Sequence, residues 1–175
     1  QSTFSHIGMI VKDPSFLHPS LQGYYVWHSG YTGEPDAEDG QIKLGVQLTP
    51  LEEVLAYYER AHSHVYLRRL NTHTPFSPQK LKAVHDVVYN KPYDIVPADW
   101  IHALKVMVDK KDPKPHPTTD RFWCSALVGY MYTTCGVLDP DTDWSVLTPA
   151  DFANDSPRLR FKNNVKWQSM QIQIL

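Results

Sequence analysis

The chain has 175 residues, of which 42% are apolar, 12% aromatic and 21% charged, with a formal net charge of -2. This length suits one domain over residues 1–175 with a real core, and the apolar share excludes a disordered chain. The near-zero charge gives no electrostatic footprint for nucleic acid, and no run reaches the ~18–20 apolar residues of a membrane span. No basic-then-apolar pattern of signal-peptide type opens the given stretch.

Residues 4–12 alternate as a strand, with Ile7, Met9 and Val11 on one face and His6, Gly8 and Ile10 on the other. Gly8 leaves space beside His6, a use of glycine where something must approach closely. Taken alone, the pair reads equally as a histidine at a strand start and a glycine at a bulge. Asp13-Pro14 and His18-Pro19 mark a turn. Residues 23–30 form the next strand, with Tyr24, Val26 and His28 on one face. Sequential strands tend to pair, so His6 and His28 come close across the sheet. Residues 31–41 carry Glu34, Asp36, Glu38 and Asp39 and read as a solvated acidic loop. Selection of a cationic substrate and calcium binding are the alternatives, the latter without EF-hand spacing.

Residues 42–48 alternate as a strand. Thr49, Pro50 and Glu52 then match a capped helix start, with Leu51, Val54, Leu55 and Tyr58 inward. Residues 64–70 read as a strand, with Arg68 and Arg69 as surface charges on opposite faces. His62 and His64 share a face but lack a nearby third metal ligand. Ser77-Pro78 opens a helix that buries Leu81, Val84, Val87 and Val88. Residues 97–108 suggest another, burying Ile101, Leu104 and Val108. The three prolines of residues 109–117 exclude helix and sheet interior, leaving an extended connector or a lid.

Residues 121–135 read as a helix capped by Thr118, Thr119 or Asp120 and closed by Gly136. Cys124 falls in its first turn, on the inward face with Val128, Met131 and Cys135. A helix N-terminus favours a thiolate, so Cys124 is either a reactive nucleophile or a small buried hydrophobe. Cys124 and Cys135 lie about 16 Å apart along such a helix at ~1.5 Å per residue, too far for a disulfide. Two unpaired cysteines suit a reducing compartment such as a cytoplasm or a virion. Leu138 to Trp144 is a turn region, Thr148-Pro149-Ala150-Asp151 starts a short helical turn, and residues 164–174 alternate as a closing strand. Strands first, then helices, then one strand imply an α+β domain with helices on one side of an antiparallel sheet.

A nucleophilic cysteine needs a base within hydrogen-bond reach, and the base needs a polar group to fix its tautomer. Cys124, His6 and His28 can fill those roles. In this order Phe4-Ser5-His6-Ile7-Gly8-Met9-Ile10-Val11, Tyr25-Val26-Trp27-His28-Ser29, Lys91-Pro92-Tyr93-Asp94 and Phe122-Trp123-Cys124-Ser125-Ala126-Leu127-Val128 resemble the circularly permuted papain-like (NlpC-type) thiol hydrolases of the YaeF/YiiX kind. Gly45-Val46-Gln47-Leu48 and Asp99-Trp100-Ile101 are similar to larger eukaryotic and giant-virus members. The resemblance covers about residues 4–135.

The resemblance implies a circularly permuted papain-like fold and a cysteine hydrolase of amidase or peptidase type that needs no cofactor and no metal. It makes Cys124 the nucleophile and His6 the base. His28 stands where many members place a Glu or another polar orienter. Tyr93 is expected near the site, helping an oxyanion hole with the Cys124 N–H, and Asp94 is expected to be structural. Trp123 and Trp27 are expected to line a substrate, although both equally suit a core. The expected partner is a peptide, amide or acyl-lipid substrate. Acyl transfer or thioester hydrolysis on the same residues, a non-catalytic virion or structural binding module, and a zinc site of Cys124, His6 and His28 are the alternatives.

Overall fold

The computed structural model describes residues 4–71, 76–94, 119–168 and 171–175. It is an α+β arrangement of small antiparallel sheets and helices. Strands β1 (Met9–Lys12), β2 (Tyr24–Gly30) and β3 (Gly45–Pro50) form an antiparallel meander in that order. The register sets Met9 opposite Trp27, Trp27 opposite Leu48 and Gly30 opposite Gly45. Asp13 and Gly23 take left-handed backbone at φ 46° and 97° where the chain leaves β1 and enters β2. The Gly23 N–H donates to the Asp13 carboxylate at 2.7 Å and locks that junction. The first strand is shorter than the alternation of residues 4–12 suggested, and His6 precedes it.

Both faces of the sheet are covered. Met9, Val11, Trp27 and Leu48 join the main core with Leu81, Val84, Phe122, Leu127 and Met131. Val26, His28, Gln47 and Thr49 share the other face by strand alternation and are buried too. Helix α1 (Leu51–Arg60) packs on β2 and β3. Its start departs from expectation: Pro50 is the N-cap and no side chain caps the helix, because the Thr49 hydroxyl is engaged by His28 and Gln47. Only Val54 of its expected stripe is fully buried.

Strand β4 (Tyr66–Leu67) pairs antiparallel with β7 (Ile172–Gln173), and β5 (Leu70–Asn71) with β6 (Lys166–Trp167). Each expected strand is thus split into short pieces. Arg68, expected as a surface charge, sits at the split. It donates to the Phe152 carbonyl at 2.9 Å, pairs with Asp155 at 2.7 Å and lies 4.5 Å over the Trp167 ring. The acidic loop also departs from expectation. Asp36 is 2% exposed and pairs with Lys43 at 2.7 Å, Lys43 also pairs with Asp39 at 2.8 Å, and Glu38 meets His85 at 2.8 Å. Lys43 holds the two aspartates, and the Glu38 contact ties the loop to the helix that carries His85.

That helix is α2 (Pro78–Val88), capped by the Ser77 hydroxyl, which accepts from the Lys80 N–H. The next described helix, α3 (Cys124–Thr134), packs on α2 and β2. It is apolar nearly all round, as expected of a helix with cover on several sides. Its N-cap is Trp123, without a capping side chain, and Gly136 closes its end at φ 78°. Cys124 and Cys135 are both free and buried. A 3-10 turn (Trp144–Val146) leads into α4 (Pro149–Ala153), where the Asp151 carboxylate accepts from the Thr148 N–H and hydroxyl at 2.8 Å each. The helix expected over residues 97–108 and the connector over 109–117 lie outside the described residues, as does Thr118.

Gly45 lets residues 91–94 lie against β3. An ideal Cβ there stands 2.5 Å from the Lys91 carbonyl oxygen and 3.1 Å from Pro92 Cα, both backbone atoms that cannot swing aside. Val46 N–H donates to Lys91 O at 2.9 Å and Tyr93 N–H to Leu44 O at 3.2 Å across this approach. Gly45→Ala is expected to destabilise the fold by ~1–3 kcal/mol, as overpacking does. Thermal unfolding followed by circular dichroism reads this as a fall of roughly 3–10 °C in Tm.

Candidate active site

His6 reaches the site because the residues before β1 bend over the end of β2. Gly30 makes room: an ideal Cβ there stands 3.0 Å from His6 Cε1 and 3.6 Å from His28 Nδ1. His6 Nε2 and His28 Nδ1 are 3.1 Å apart, with the rings edge to face at 87°. The expected meeting of the two histidines is therefore present. It comes through the loop before β1 rather than through ladder pairing. His28 Nε2 continues to Thr49 Oγ1 at 3.1 Å, and Thr49 to Gln47 Oε1 at 3.4 Å. Gln47 Nε2 donates to the Gly30 carbonyl at 2.6 Å, closing the run under His6.

Cys124 enters from the opposite end of the chain. The Phe122 segment bridges in parallel to Tyr93, which is held against β3. The Ser29 hydroxyl donates to the Phe122 carbonyl at 2.6 Å and ties this segment to β2. Two donors then fix the first turn of α3: Ser125 Oγ at 2.6 Å and Trp123 Nε1 at 3.3 Å both reach the Leu147 carbonyl. The sulfur lies where the backbone N–H groups of Ile7, Ser125 and Cys124 itself favour its anion, the Ser125 hydroxyl proton being spent on Leu147. It therefore adjoins the residue next to His6. Among the described hydrogen bonds none joins the sulfur to the His6 ring itself.

The phenols of Tyr58 and Tyr93 lie within electrostatic reach of the sulfur. Tyr58 also lies beside His6, with ring centroids 6.3 Å apart. Burial raises both phenols above their usual range, and a thiolate at Cys124 would raise them further, so both stay protonated hydrogen-bond donors. Tyr93 thus falls where expected. Tyr58 had been read only as part of a helical core stripe.

The electrostatics reverse one expectation. Burial pushes the Cys124 thiol up, against the smaller opposing pull of the surrounding N–H groups. Burial pushes His6 down from 6.5 to about 4, and burial with the neighbouring His6 charge pushes His28 down to about 3. The thiol and both imidazoles rest neutral, whereas the helix terminus alone favours a thiolate.

Trp27 is corrected. It is 2% exposed, on the core face of β2 opposite His28, and packs near His85, so it cannot line a substrate in this structure. Trp123 keeps partial exposure but spends its N–H on Leu147. His64 is exposed and bonds Gln173, apart from the site. Among the described residues no group of three or more His, Cys, Asp or Glu is arranged to hold a metal ion. His28 already spends both nitrogens on His6 and Thr49. No helix among the described residues is long and apolar enough to cross a membrane.

The fold and site define an α+β chain with a His6–His28 pair and a buried cysteine at the start of a helix. Comparison with protein-family models, curated proteins and solved structures finds no match to this chain.

Two outcomes follow from this geometry. Between pH 6.5 and about 4 the unfolded chain takes up protons that folded His6 and His28 refuse. Stability is therefore full above pH 6.5 and falls as pH drops through that window. Tm measured from pH 7.5 to 5 should fall by several degrees, and His28→Gln should flatten the slope. Gly30→Ala should displace the His6 ring by a few tenths of an ångström. Its effect is a loss of about tenfold in any His6-dependent reaction of Cys124, with Tm changed by only a few degrees, since misplacements of ~1 Å cost up to ~100-fold.

Proposed function

We propose that this chain is a cysteine-dependent hydrolase of amidase or peptidase type, on a circularly permuted papain-like arrangement. What supports the reading most is one meeting. The sulfur at the N-terminus of α3 is buried with the Ile7 N–H among the groups that favour its anion, and His6, the residue before Ile7, is tied to a second imidazole at 3.1 Å. Cys124 attacks an amide or ester carbonyl while His6 takes the thiol proton, so the S–C bond forms as the S–H bond breaks. His6 returns that proton to the leaving amine or alcohol, and a thioester remains on Cys124. Water then attacks the thioester with His6 as base, the S–C bond breaks, and the proton goes back to sulfur. The Cys124 N–H and the Tyr93 hydroxyl are the donors for the oxyanion.

Charge separates only as the carbonyl is attacked, because both partners rest neutral. Proton transfer and attack are therefore coupled, which is general-base catalysis rather than attack by a preformed thiolate. A carbonyl carbon must come within ~3–3.5 Å of sulfur. Cys124 is 4% exposed, so the substrate approaches along a narrow edge or displaces a neighbour.

That same burial favours a second reading, acyl transfer. A sulfur with so little solvent contact hands its acyl group to a bound amine or alcohol more readily than a solvent-exposed one does. Product analysis with water and an amine in competition separates the two.

The test is capture of the acyl-enzyme. After incubation with an activated acyl ester or peptide ester, intact-mass and peptide mapping should place the acyl group on Cys124. Cys124→Ala should remove both adduct and turnover. His6→Ala should lower kcat/KM by about 100- to 10,000-fold, the range of a positioned base. Turnover that survives Cys124→Ala would sink the assignment.

A further inference from the structure

We propose that Thr49 and Gln47 are positioning residues that set the tautomer of His6, leaving its Nδ1 as the bare nitrogen that accepts a proton from Cys124. The inference rests on the hydrolase reading for its purpose but not for its test. It begins at the buried end of the run. Gln47 is 2% exposed, and its Nε2 faces three backbone carbonyls: Gly30 at 2.6 Å, Lys43 at 3.2 Å and Gly45 at 3.5 Å. Carbonyls only accept, so that atom is the NH2 and the other is the oxygen. The Gln47 oxygen also only accepts. Its one partner among the described residues is the Thr49 hydroxyl at 3.4 Å, so Thr49 donates to it.

A hydroxyl has one proton. With that proton spent on Gln47, Thr49 Oγ1 meets His28 Nε2 at 3.1 Å as an acceptor. His28 therefore carries its proton on Nε2, and its Nδ1 is bare. The 3.1 Å contact to His6 Nε2 is then donated by His6. A neutral His6 with its proton on Nε2 has a free lone pair on Nδ1. The opposite polarity fails at the far end. If Thr49 donated to His28, the Gln47 oxygen would be buried without a donor, a state that native interiors avoid. His28, Thr49 and Gln47 are 1%, 0% and 2% exposed, so water does not readily supply the missing proton.

Thr49 is therefore not a helix cap that happens to touch His28. Its hydroxyl converts the fixed orientation of one amide into the protonation pattern of two imidazoles. A catalytic base needs that pattern, because an Nδ1–H tautomer of His6 could not take the thiol proton.

Nitrogen-15 correlation spectra of the histidine rings near neutral pH read the tautomers directly. The expected result is His28 and His6 both protonated on Nε2, with unprotonated Nδ1 resonances. Thr49→Val keeps the shape and removes the acceptor. His28 is expected to move its proton to Nδ1 and donate to His6 Nε2, forcing His6 into the Nδ1–H form. His6-dependent alkylation of Cys124 by iodoacetamide then falls by tenfold or more, and Thr49→Ser restores both tautomers and rate. If Thr49→Val does not fold, Gln47→Met poses the same question, since it frees the Thr49 proton to turn toward His28. Wild-type His6 protonated on Nδ1, or tautomers unmoved in the folded variants, overturns the proposal. Tautomers as expected in a protein that forms no acyl-enzyme overturn the hydrolase reading and leave this one standing.

Discussion

Two imidazoles 3.1 Å apart under a protein surface cannot both be charged. With ring centroids 5.2 Å apart, two positive charges repel by about 3 kcal/mol at an effective dielectric near 20, before the cost of burying either. That constraint propagates. His28 must stay neutral if His6 is ever to become imidazolium, so the group that orients the base contributes a lone pair but no negative charge. Nothing in the cluster then pulls the Cys124 proton off in advance. The neutral thiol and neutral imidazoles follow first from burial, and a histidine where a carboxylate could have stood leaves no negative charge to offset it.

The fold supplies this cluster by removing side chains. Gly8 and Gly30 flank the histidine pair. An ideal Cβ on Gly8 stands 2.5 Å from Val26 Cγ1 and 3.0 Å from His28 Cβ, and one on Gly30 stands 3.0 Å from His6 Cε1. The chain before β1 can therefore lie flat on β2 and drop His6 onto its end. Gly45 does the same for residues 91–94, which carry Tyr93 and bridge to Phe122. Close backbone approach at three glycines brings the opening, the middle and the later part of the chain to one point. The two donors on the Leu147 carbonyl then hold the Cys124 turn in place.

Some of this was legible in the sequence. Alternation gave β1 and β2 and their pairing, whereas His6 meets His28 from the loop before β1 and not through the ladder. Helical spacing put Cys124 at the start of a helix, and Gly136 ended it. Thr49 and Gln47 were not legible as partners of His28, because Thr49 matches a helix cap and Gln47 alternates with Val46 and Leu48 like a residue on a half-solvated strand. Only burial on both faces of β3 turns them into obligatory hydrogen-bond partners, and burial of the second face depends on α1 and on the loop before β1. Trp27 failed for the same reason: on a strand covered on both sides, its neighbour His28 and its own indole are both interior, facing opposite ways. The acidic loop and Arg68 read as surface because the contacts that cover them, Asp36 with Lys43 just past the loop, Glu38 with His85 and Arg68 with Asp155, form only in the fold.

The direction of the thiol's shift follows from magnitudes that spacing alone does not supply. A helix N-terminus stabilises an adjacent anion by about 0.3–1 kcal/mol, and up to ~2 in partly buried settings. Withdrawing an ion from water costs several kcal/mol even after relaxation. With Cys124 at 4% exposure, the second effect wins and the proton stays on sulfur. That outcome is compatible with the nucleophile role proposed for Cys124. A preformed ion pair must be partly unmade when the thiolate gives its charge to a carbonyl, whereas a neutral pair creates charge only at the oxygen and the imidazole. Under the proposed hydrolase reading, the amide of Cys124, the phenol of Tyr93 and the lone pair of His28 would meet that charge, so the stabilisation would go to the transition state rather than to the resting state.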